Sequence, residues 1–265
     1  MLLKDKVAVV YGGGGVIGGA IAEACARAGA RIFLAGRTRS KLEAVARRIA
    51  STGATAEVAQ IDALDTDSVE RHADDVAARA GGIDIAVNAV GVAHVQGKPL
   101  AELTVEEYAY PVSIYTRTHF ITAKAVARHM APRGSGVILA LSTPAGRMTG
   151  PGYLGHCVAC AGIEALTGHL AGELGASGIR VVCLRSHAIP EVPALGSHSH
   201  EVFGQVAQRV GVSIDEMLAG AASSTPLKRL PTLGEVANTA VFLVSPHAGA
   251  MTGAIANLTC GFVLD

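Results

Sequence analysis

The sequence predicts an α/β fold in which a parallel β-sheet carries helices on both faces. Two observations support this prediction. Short apolar segments typical of buried strands alternate with helical segments along most of the 265 residues, and the connections between them are short. A cluster of glycines at 12–19 separates the first apolar segment from an apolar helical pattern, as expected for a doubly wound sheet.

The elements are predicted from the spacing of the apolar residues. Strands are expected at 7–10, 31–35, 55–61, 83–87, 136–141, 179–184 and 254–258. Helices are expected after the glycine cluster and at 40–50, 67–80, 105–130, 154–174 and 234–243. Pro111 should disturb the helix at 105–130, because proline cannot continue the amide ladder.

Residues 186–224 break this alternation. They contain Pro190 and Pro193, an SHSH segment and an amphipathic piece at 202–210. An irregular insertion beside the carboxyl ends of the strands is where a doubly wound fold usually places a substrate lid. We therefore predict a lid at about 186–224.

The glycine cluster predicts a dinucleotide site. Glycines let the backbone turn sharply and admit a pyrophosphate to the next helix N-terminus, where free amides and the helix dipole favour an anion. The candidate contacts are Gly12, Gly14, Gly15, Ile17 and Gly18. A glycine-rich turn without a ligand is the alternative for this segment taken alone.

Composition excludes several classes of function. Half of the residues are hydrophobic and 17% are charged, which is typical of a compact globular protein. The 22 basic and 22 acidic side chains balance, so neither a nucleic-acid nor a membrane-surface partner is expected. No signal peptide or spanning segment is recognisable, and five scattered cysteines indicate reduced thiols. We therefore expect a cytoplasmic protein without a membrane segment.

Several motifs, in this order, resemble those of the short-chain dehydrogenase/reductase family over essentially the whole chain. They are YGGGGVIG at 11–18, IDALD at 61–65, NAVG at 88–91, SGIRVVCL at 177–184 and TGAIANLTCG at 252–261. The resemblance implies a single Rossmann-type domain over 1–265 with a seven-stranded parallel sheet. It also implies a homotetramer or homodimer and a small-molecule substrate.

The end of the second strand predicts which cofactor is bound. In this fold an acidic residue there binds the ribose 2′-hydroxyl of NAD, whereas an arginine accommodates the 2′-phosphate of NADP. Here Arg37, Thr38 and Arg39 follow the strand without an acid, so NADP(H) is favoured over NAD(H). The alternative is that both arginines are solvated residues at the start of a helix.

The resemblance adds further cofactor candidates and one departure. The matching positions are Asp62 and Ala63 for the adenine, and Asn88, Ala89 and Gly91 after the fourth strand. Val16 stands where the family usually has its middle glycine. The neighbouring Gly14 and Gly15 are expected to compensate.

The resemblance implies a catalytic tyrosine activated by a lysine one helical turn later, together with a serine and an asparagine. Aligned on this pattern, His156 stands at the tyrosine and Cys160 at the lysine. Thr143 stands at the serine and Ser113 at the asparagine, and CAGIEALT at 160–167 fixes the register. We therefore predict an atypical member that lacks the Tyr-x-x-x-Lys motif.

The replacements differ in what they can do. Thr143 keeps a hydroxyl and, with Ser142, is expected to hydrogen-bond a substrate oxygen. His156 is expected to act as a general acid or base, because imidazole donates a proton near neutral pH without a lysine. Cys160 cannot supply the positive charge of a lysine. Tyr153 is an alternative catalytic tyrosine only if the helix begins early.

Other polar residues carry weaker predictions. Cys157 and Cys160 form a C-x-x-C pair, but without a second pair or a spaced histidine we predict packing and no metal site. The histidines that could border a substrate cavity, against the simpler alternative of polar loop residues, are His94, His187, His198 and His200.

Three functional hypotheses follow. The first is an atypical NADP(H)-dependent enzyme that uses Thr143 and His156 on a small or medium apolar carbonyl substrate, by reduction or by non-redox proton transfer. The second is a catalytically inactive, nucleotide-binding regulatory or structural paralogue. The third is an assembly partner that binds no nucleotide. We rank them in this order, because a hydroxyl and an imidazole are retained at the two central positions.

Overall fold

Seven strands form one parallel sheet in the computed structural model, which describes residues 1–264. They are β1 (Val7–Tyr11), β2 (Arg31–Gly36), β3 (Ala56–Gln60), β4 (Ile85–Asn88), β5 (Gly136–Ser142), β6 (Ile179–Ser186) and β7 (Ile255–Leu258). Their order across the sheet is β3-β2-β1-β4-β5-β6-β7. The predicted α/β class with a seven-stranded parallel sheet is confirmed, with strand bounds that shift by one or two residues.

Helices cover both faces of the sheet. They are α1 (Val16–Arg27), α2 (Arg39–Ala50), α3 (Thr66–Ala80), α4 (Val105–Met130), α5 (Leu154–Leu174), α6 (Glu191–Ala194), α7 (Ser199–Val210), α8 (Ile214–Ser224) and α9 (Leu233–Val244). Helices α1, α2 and α9 bury apolar residues on one face, and α3, α4 and α5 on the other. No helix within residues 1–264 is long and apolar enough to cross a membrane.

The sheet topology explains where a site can form. Tyr11 at the end of β1 pairs with Ala35 in β2 on one side and with Asn88 in β4 on the other. From β1 the chain adds β2 and β3 on one side of the sheet and then β4 to β7 on the other, so the strand order reverses between β1 and β4. In an open parallel sheet such a reversal leaves a crevice beyond the carboxyl ends of the strands.

Helix α4 runs without interruption through Pro111, contrary to the disturbance that we expected there. A capping box stabilises its start: the Glu107 amide donates to Thr104 Oγ1, and the Thr104 amide donates to Glu107 Oε2. Pro111 also packs close to Gly155 of α5, where an added Cβ would lie 3.0 Å from the proline ring. The helix is thus anchored well enough to tolerate the backbone hydrogen bond that Pro111 cannot donate.

Residues 186–224 are mainly helical, which corrects the irregular insertion expected from the prolines. Helices α6, α7 and α8 all lie within this segment, and α7 includes the predicted amphipathic piece. Pro193 lies inside the single turn of α6, and Ser213 and Glu216 form a capping box that starts α8. A capping box thus supports α8, whereas α6 and α7 begin without a side-chain cap.

Buried histidines should make the fold sensitive to acid. His119 is 6% exposed and its Nδ1 lies 2.8 Å from Tyr115 O, and burial lowers its pKa to about 4. In the unfolded chain its pKa is about 6.5. Because the unfolded state then binds more protons, we expect this group to remove about 2 kcal/mol of unfolding free energy between pH 7 and pH 5. Urea titrations at both pH values measure this loss.

The matched variant is His119→Asn, whose amide can still donate to Tyr115 O but does not titrate. The loss between pH 7 and pH 5 should shrink by about 2 kcal/mol in this variant. An unchanged loss would show that His119 does not carry the effect.

Candidate functional site

A cavity of about 460 Å³ lies beyond the carboxyl ends of β1, β4, β5 and β6. Apolar side chains form much of its wall, including Met148, Phe203, Val206, Met217 and Leu218. Its polar lining consists of hydroxyl, thiol, amide and imidazole groups. No Asp, Glu, Lys or Arg occurs among the described residues that line it. The cavity therefore carries no permanent charge of its own.

Three of the predicted catalytic residues meet at one side of this cavity. Thr143 Oγ1 lies 3.2 Å from His156 Nε2 and 3.2 Å from Cys160 Sγ. Cys160 Sγ lies 3.7 Å from His156 Nε2. His156 and Cys160 are one turn apart on α5, and Thr143 directly follows β5. The hydroxyl is thus at the centre of the group.

Thr143 is held from behind by the backbone. The Ala145 amide donates to Thr143 Oγ1 at 3.2 Å, which leaves the hydroxyl proton available for another acceptor. Ser142 Oγ points the other way and donates to Glu164 Oε1 at 3.0 Å. Glu164 in turn accepts two hydrogen bonds of 2.8 Å from Arg185 in β6. Ser142 therefore fixes the end of β5, although it also lines the cavity.

A second polar group, His94 and Gln96, lies directly against the first. The His94 ring stacks on His156 with centroids 4.9 Å apart and planes 24° apart. Gln96 Nε2 lies 2.9 Å from His94 Nε2, and His94 Nδ1 lies 2.8 Å from Val92 O. An amide that donates to Nε2 leaves the ring proton on Nδ1, where Val92 O accepts it. Tyr115 packs edge-on against both rings.

The electrostatic environment keeps both catalytic candidates on α5 uncharged. Burial, followed by the nearby His94 and His198, lowers the pKa of His156 to about 3. Burial also raises the pKa of the Cys160 thiol, although hydrogen bonds to Thr143 and Ser142 oppose it. Burial therefore disfavours the imidazolium form of His156, and its role as a general acid or base stays a prediction.

The glycine loop between β1 and α1 is closely packed. Gly12 has a φ of +77°, and a Cβ at this position would lie 2.5 Å from Ala89 O. A Cβ on Gly18 would lie 2.5 Å from Gly12 O. Gly15 caps α1 without a side-chain hydrogen bond, and no acidic residue occupies the first turn. The free amides at this helix start fit an anion such as a pyrophosphate.

Comparisons with known proteins identify the family. A family profile described as enoyl-(acyl carrier protein) reductase matches residues 14–263. The chain is 31% identical to an uncharacterized oxidoreductase of Mycobacterium tuberculosis, over 95% of this chain and 89% of that protein. It belongs to the short-chain dehydrogenase/reductase family. Members of this family are oxidoreductases that use a nicotinamide dinucleotide, NAD(P)(H), and act on small molecules.

Further relatives cover nearly the whole chain. Cis-4-hydroxycyclohexanecarboxylate dehydrogenase of Sinomonas cyclohexanicum is 30% identical over 97% of this chain and 96% of that protein. The crystal structure of a short-chain type dehydrogenase/reductase from Mycobacterium marinum is similar with a TM-score of 0.83 and 27% identity, over 99% and 97% of the two chains. The similarity thus extends through the segment 186–224.

The cofactor candidates of this family member lie along one edge of the sheet. Ile17, Ala89 and Gly91 line the cavity and connect it with the glycine loop. Asn88 is buried below them, where its amide donates to Thr122 Oγ1 at 3.0 Å and its carbonyl accepts from the Val90 amide. Asn88 therefore shapes the loop from inside the protein.

The residues after β2 and β3 are exposed. Arg39 donates to Glu43 Oε1 at 2.8 Å, whereas no side-chain partner within residues 1–264 holds the exposed Arg37 guanidinium. Thr38 caps α2 with its backbone alone. Asp62 is exposed and Ala63 is buried beside it. Of the two arginines, Arg37 is thus the one available to a ligand.

The structure also separates the remaining candidates. Ser113 lies on α4 but does not line the cavity, and the same helix presents Tyr115 there instead. Tyr153 lines the cavity from the residue before α5, and burial raises its pKa. Three of the four other histidine candidates, His94, His187 and His198, line the cavity, whereas the exposed His200 does not.

Sequence reasoning missed Tyr115 and Gln96. Tyr115 lies two residues beyond the position compared with the family asparagine, so that comparison directed attention to Ser113. Gln96 lies in a loop whose path no periodicity indicates. The spacing of His94 and Gln96, two residues apart after the fourth strand, was the one available signal.

Proposed function

We propose that this chain is an atypical NADP(H)-dependent oxidoreductase of its family, with Thr143 and His156 in place of the usual serine and tyrosine. The observation that supports it is the position of Thr143 Oγ1, 3.2 Å from both His156 Nε2 and Cys160 Sγ, on a cavity that Ile17 of α1 also lines. The substrate is a small or medium carbonyl compound with an apolar body, which matches the apolar walls.

Each residue has a distinct role in this proposal. The Thr143 hydroxyl donates to the substrate oxygen, because the Ala145 amide already occupies one of its acceptor positions. His156 exchanges a proton with that hydroxyl or with the substrate, in a reduction or in a non-redox proton transfer. Cys160 accepts or donates a weak hydrogen bond and carries no charge. When bound, NADP(H) supplies or accepts the hydride.

Relatives support an alcohol or carbonyl substrate. One of them is named a dehydrogenase of cis-4-hydroxycyclohexanecarboxylate, which is an alcohol on a mid-sized ring. A substrate of similar size would fit within the 460 Å³ cavity of this chain. The wall formed by 186–224 would act as the lid that determines its shape. Exposed apolar residues on α4 and α5, such as Phe120 and Val158, support a homodimer or homotetramer.

The preference for NADP(H) can be tested through Arg37. In Arg37→Ala the Kd for NADPH should rise about 10- to 100-fold, because a charge-assisted hydrogen bond contributes about 1.5–3 kcal/mol. The Kd for NADH should not change. A fluorescence titration with both nucleotides measures these values. Arg47→Ala, in the last turn of α2 and away from the end of β2, is the matched control.

Three outcomes distinguish the hypotheses. Equal affinities for NADPH and NADH, or a preference for NADH, would contradict the role of Arg37. If neither nucleotide binds at millimolar concentration, the chain is an assembly partner. If NADPH binds but no member of a carbonyl panel is turned over, the chain is a catalytically inactive nucleotide-binding paralogue.

A further inference from the structure

The cavity can gain positive charge but not negative charge. Among the described residues of its lining, the groups able to become anionic near neutral pH are thiols and phenols, and burial raises the pKa of Cys160, Tyr115 and Tyr153. The nearest carboxylate, Glu164, is already paired with Arg185. Imidazoles, by contrast, line the cavity on several sides. The lining is therefore suited to a neutral or an anionic ligand and opposes a cationic one.

The stacked pair of His94 and His156 is built to hold one proton. The two ring centroids are 4.9 Å apart and nearly parallel, so a charge on one imidazole lies close to the other ring. A second proton would place two like charges at the same separation, which is unfavourable. The pair therefore accepts a single charge more readily than two.

Gln96 allows this proton without leaving a polar atom unpaired. In the neutral pair its amide nitrogen donates to His94 Nε2 at 2.9 Å. Rotation of the amide by half a turn presents its oxygen, which would accept from a protonated Nε2. Val92 O accepts from Nδ1 in both states. The pair can therefore change charge with one side-chain rotation.

We propose that the substrate of this cavity carries one carboxylate, and that the stacked pair of His94 and His156 takes up one proton when this carboxylate binds. The inference rests on the proposed function, because it assigns the substrate class of the same site. It also answers a difficulty of that function. Burial keeps His156 neutral, and the negative charge of an anionic substrate would offset this and turn the pair into a proton donor beside Thr143.

The groups that face the pair from each neighbouring element are compatible with this uptake. Helix α4 contributes Tyr115, and α5 contributes Cys160 and Cys157. His187, directly after β6, and His198 also line the cavity, and the positive charge of Lys41 in α2 helps to lower the pKa of His198. Burial and His198 disfavour a proton on His156, and an anion beside the pair would offset them.

The test is calorimetric and needs no turnover. The full chain is titrated with cyclohexanecarboxylate and, separately, with cyclohexanecarboxamide, which has nearly the same shape but no charge. At pH 6, in two buffers of different ionisation enthalpy, we expect the protein to take up about one proton when the carboxylate binds. The carboxylate should bind up to about ten-fold tighter at pH 6 than at pH 7. The amide should show neither effect.

Variants assign the proton to the pair. Proton uptake should disappear in His94→Gln and in His156→Gln, which keep a polar side chain but cannot titrate. Proton uptake should persist in His200→Gln, because His200 is exposed and does not line the cavity. Repeating the titration with NADPH present excludes carboxylate binding at the glycine loop.

Several results would overturn the inference: carboxylate binding without proton uptake, equal affinity for the amide at pH 6, no binding of either compound, or uptake that persists in both cavity variants. None of these results depends on turnover. Failure of the proposed function would instead show as absent NADPH binding in the separate titration, so the two failures are distinguishable.

Discussion

Replacing Arg185 by methionine is expected to lower the free energy of unfolding by about 3–5 kcal/mol. Arg185 is 1% exposed and donates from two guanidinium nitrogens to the two carboxylate oxygens of Glu164, at 2.8 Å each. Without the guanidinium, the Glu164 carboxylate stays buried between α5 and β6 without its cation. A buried charge that has lost its partner is far more costly than a pair that was never formed.

Urea denaturation or thermal melting measures this effect, and a loss of this size corresponds to a Tm about 10 °C lower. The matched control is Arg209→Met, because Arg209 also pairs with a glutamate, Glu102, but both side chains are largely in solvent. We expect less than about 1 kcal/mol there. The double variant Arg185→Met with Glu164→Gln should recover part of the loss, because no unpaired charge is left.

A loss below about 1 kcal/mol in Arg185→Met would show that the carboxylate reaches water or takes up a proton. The pair also has a consequence for the site. Glu164 Oε1 accepts from Ser142 Oγ, one residue before Thr143, so the ion pair stabilises the end of β5 from outside the cavity. We therefore expect the same variant to weaken substrate binding as well as folding.

The fold could be predicted because its signals are local. Alternation of apolar strands with helices predicts a parallel sheet with helices on both faces, and the buried residues of β1 and β2 follow that pattern. The segment 186–224 was harder to predict. Of its three helices only α8 begins at a side-chain cap, Ser213, whereas α6 and α7 have none.

For the candidate site, the sequence could predict which residues lie on α5 and at the end of β5, but not which distant residues pack against them. The resemblance to the family, with CAGIEALT at 160–167 fixing the register, assigned His156 and Cys160 to one helix and Thr143 to the loop after β5. The stacking of His94 on His156 depends on how a loop of irregular structure folds back over the sheet. Whether a histidine is charged depends on the burial of the whole group, which no short segment of sequence determines.

The largest effect on chemistry is expected from Thr143→Val. Valine has the same shape as threonine but no hydroxyl, so the substrate oxygen loses its donor and the Ala145 amide loses its acceptor. We expect kcat/KM for the best substrate of a carbonyl panel to fall about 10²- to 10³-fold, the usual cost of removing one donor to a developing oxyanion. The Kd for NADPH should stay the same, because Thr143 lies away from the glycine loop.

Two further variants separate chemistry from structure. Thr143→Ser keeps the hydroxyl and should retain kcat/KM within about ten-fold. Tyr153→Phe should leave kcat unchanged, because the proton in our proposal moves through Thr143 and His156, which are in contact, and not through Tyr153. If Tyr153→Phe abolished turnover while Thr143→Val did not, Tyr153 would be the catalytic tyrosine. The Thr143 hydroxyl would then have only a structural role, as the acceptor of the hydrogen bond from the Ala145 amide.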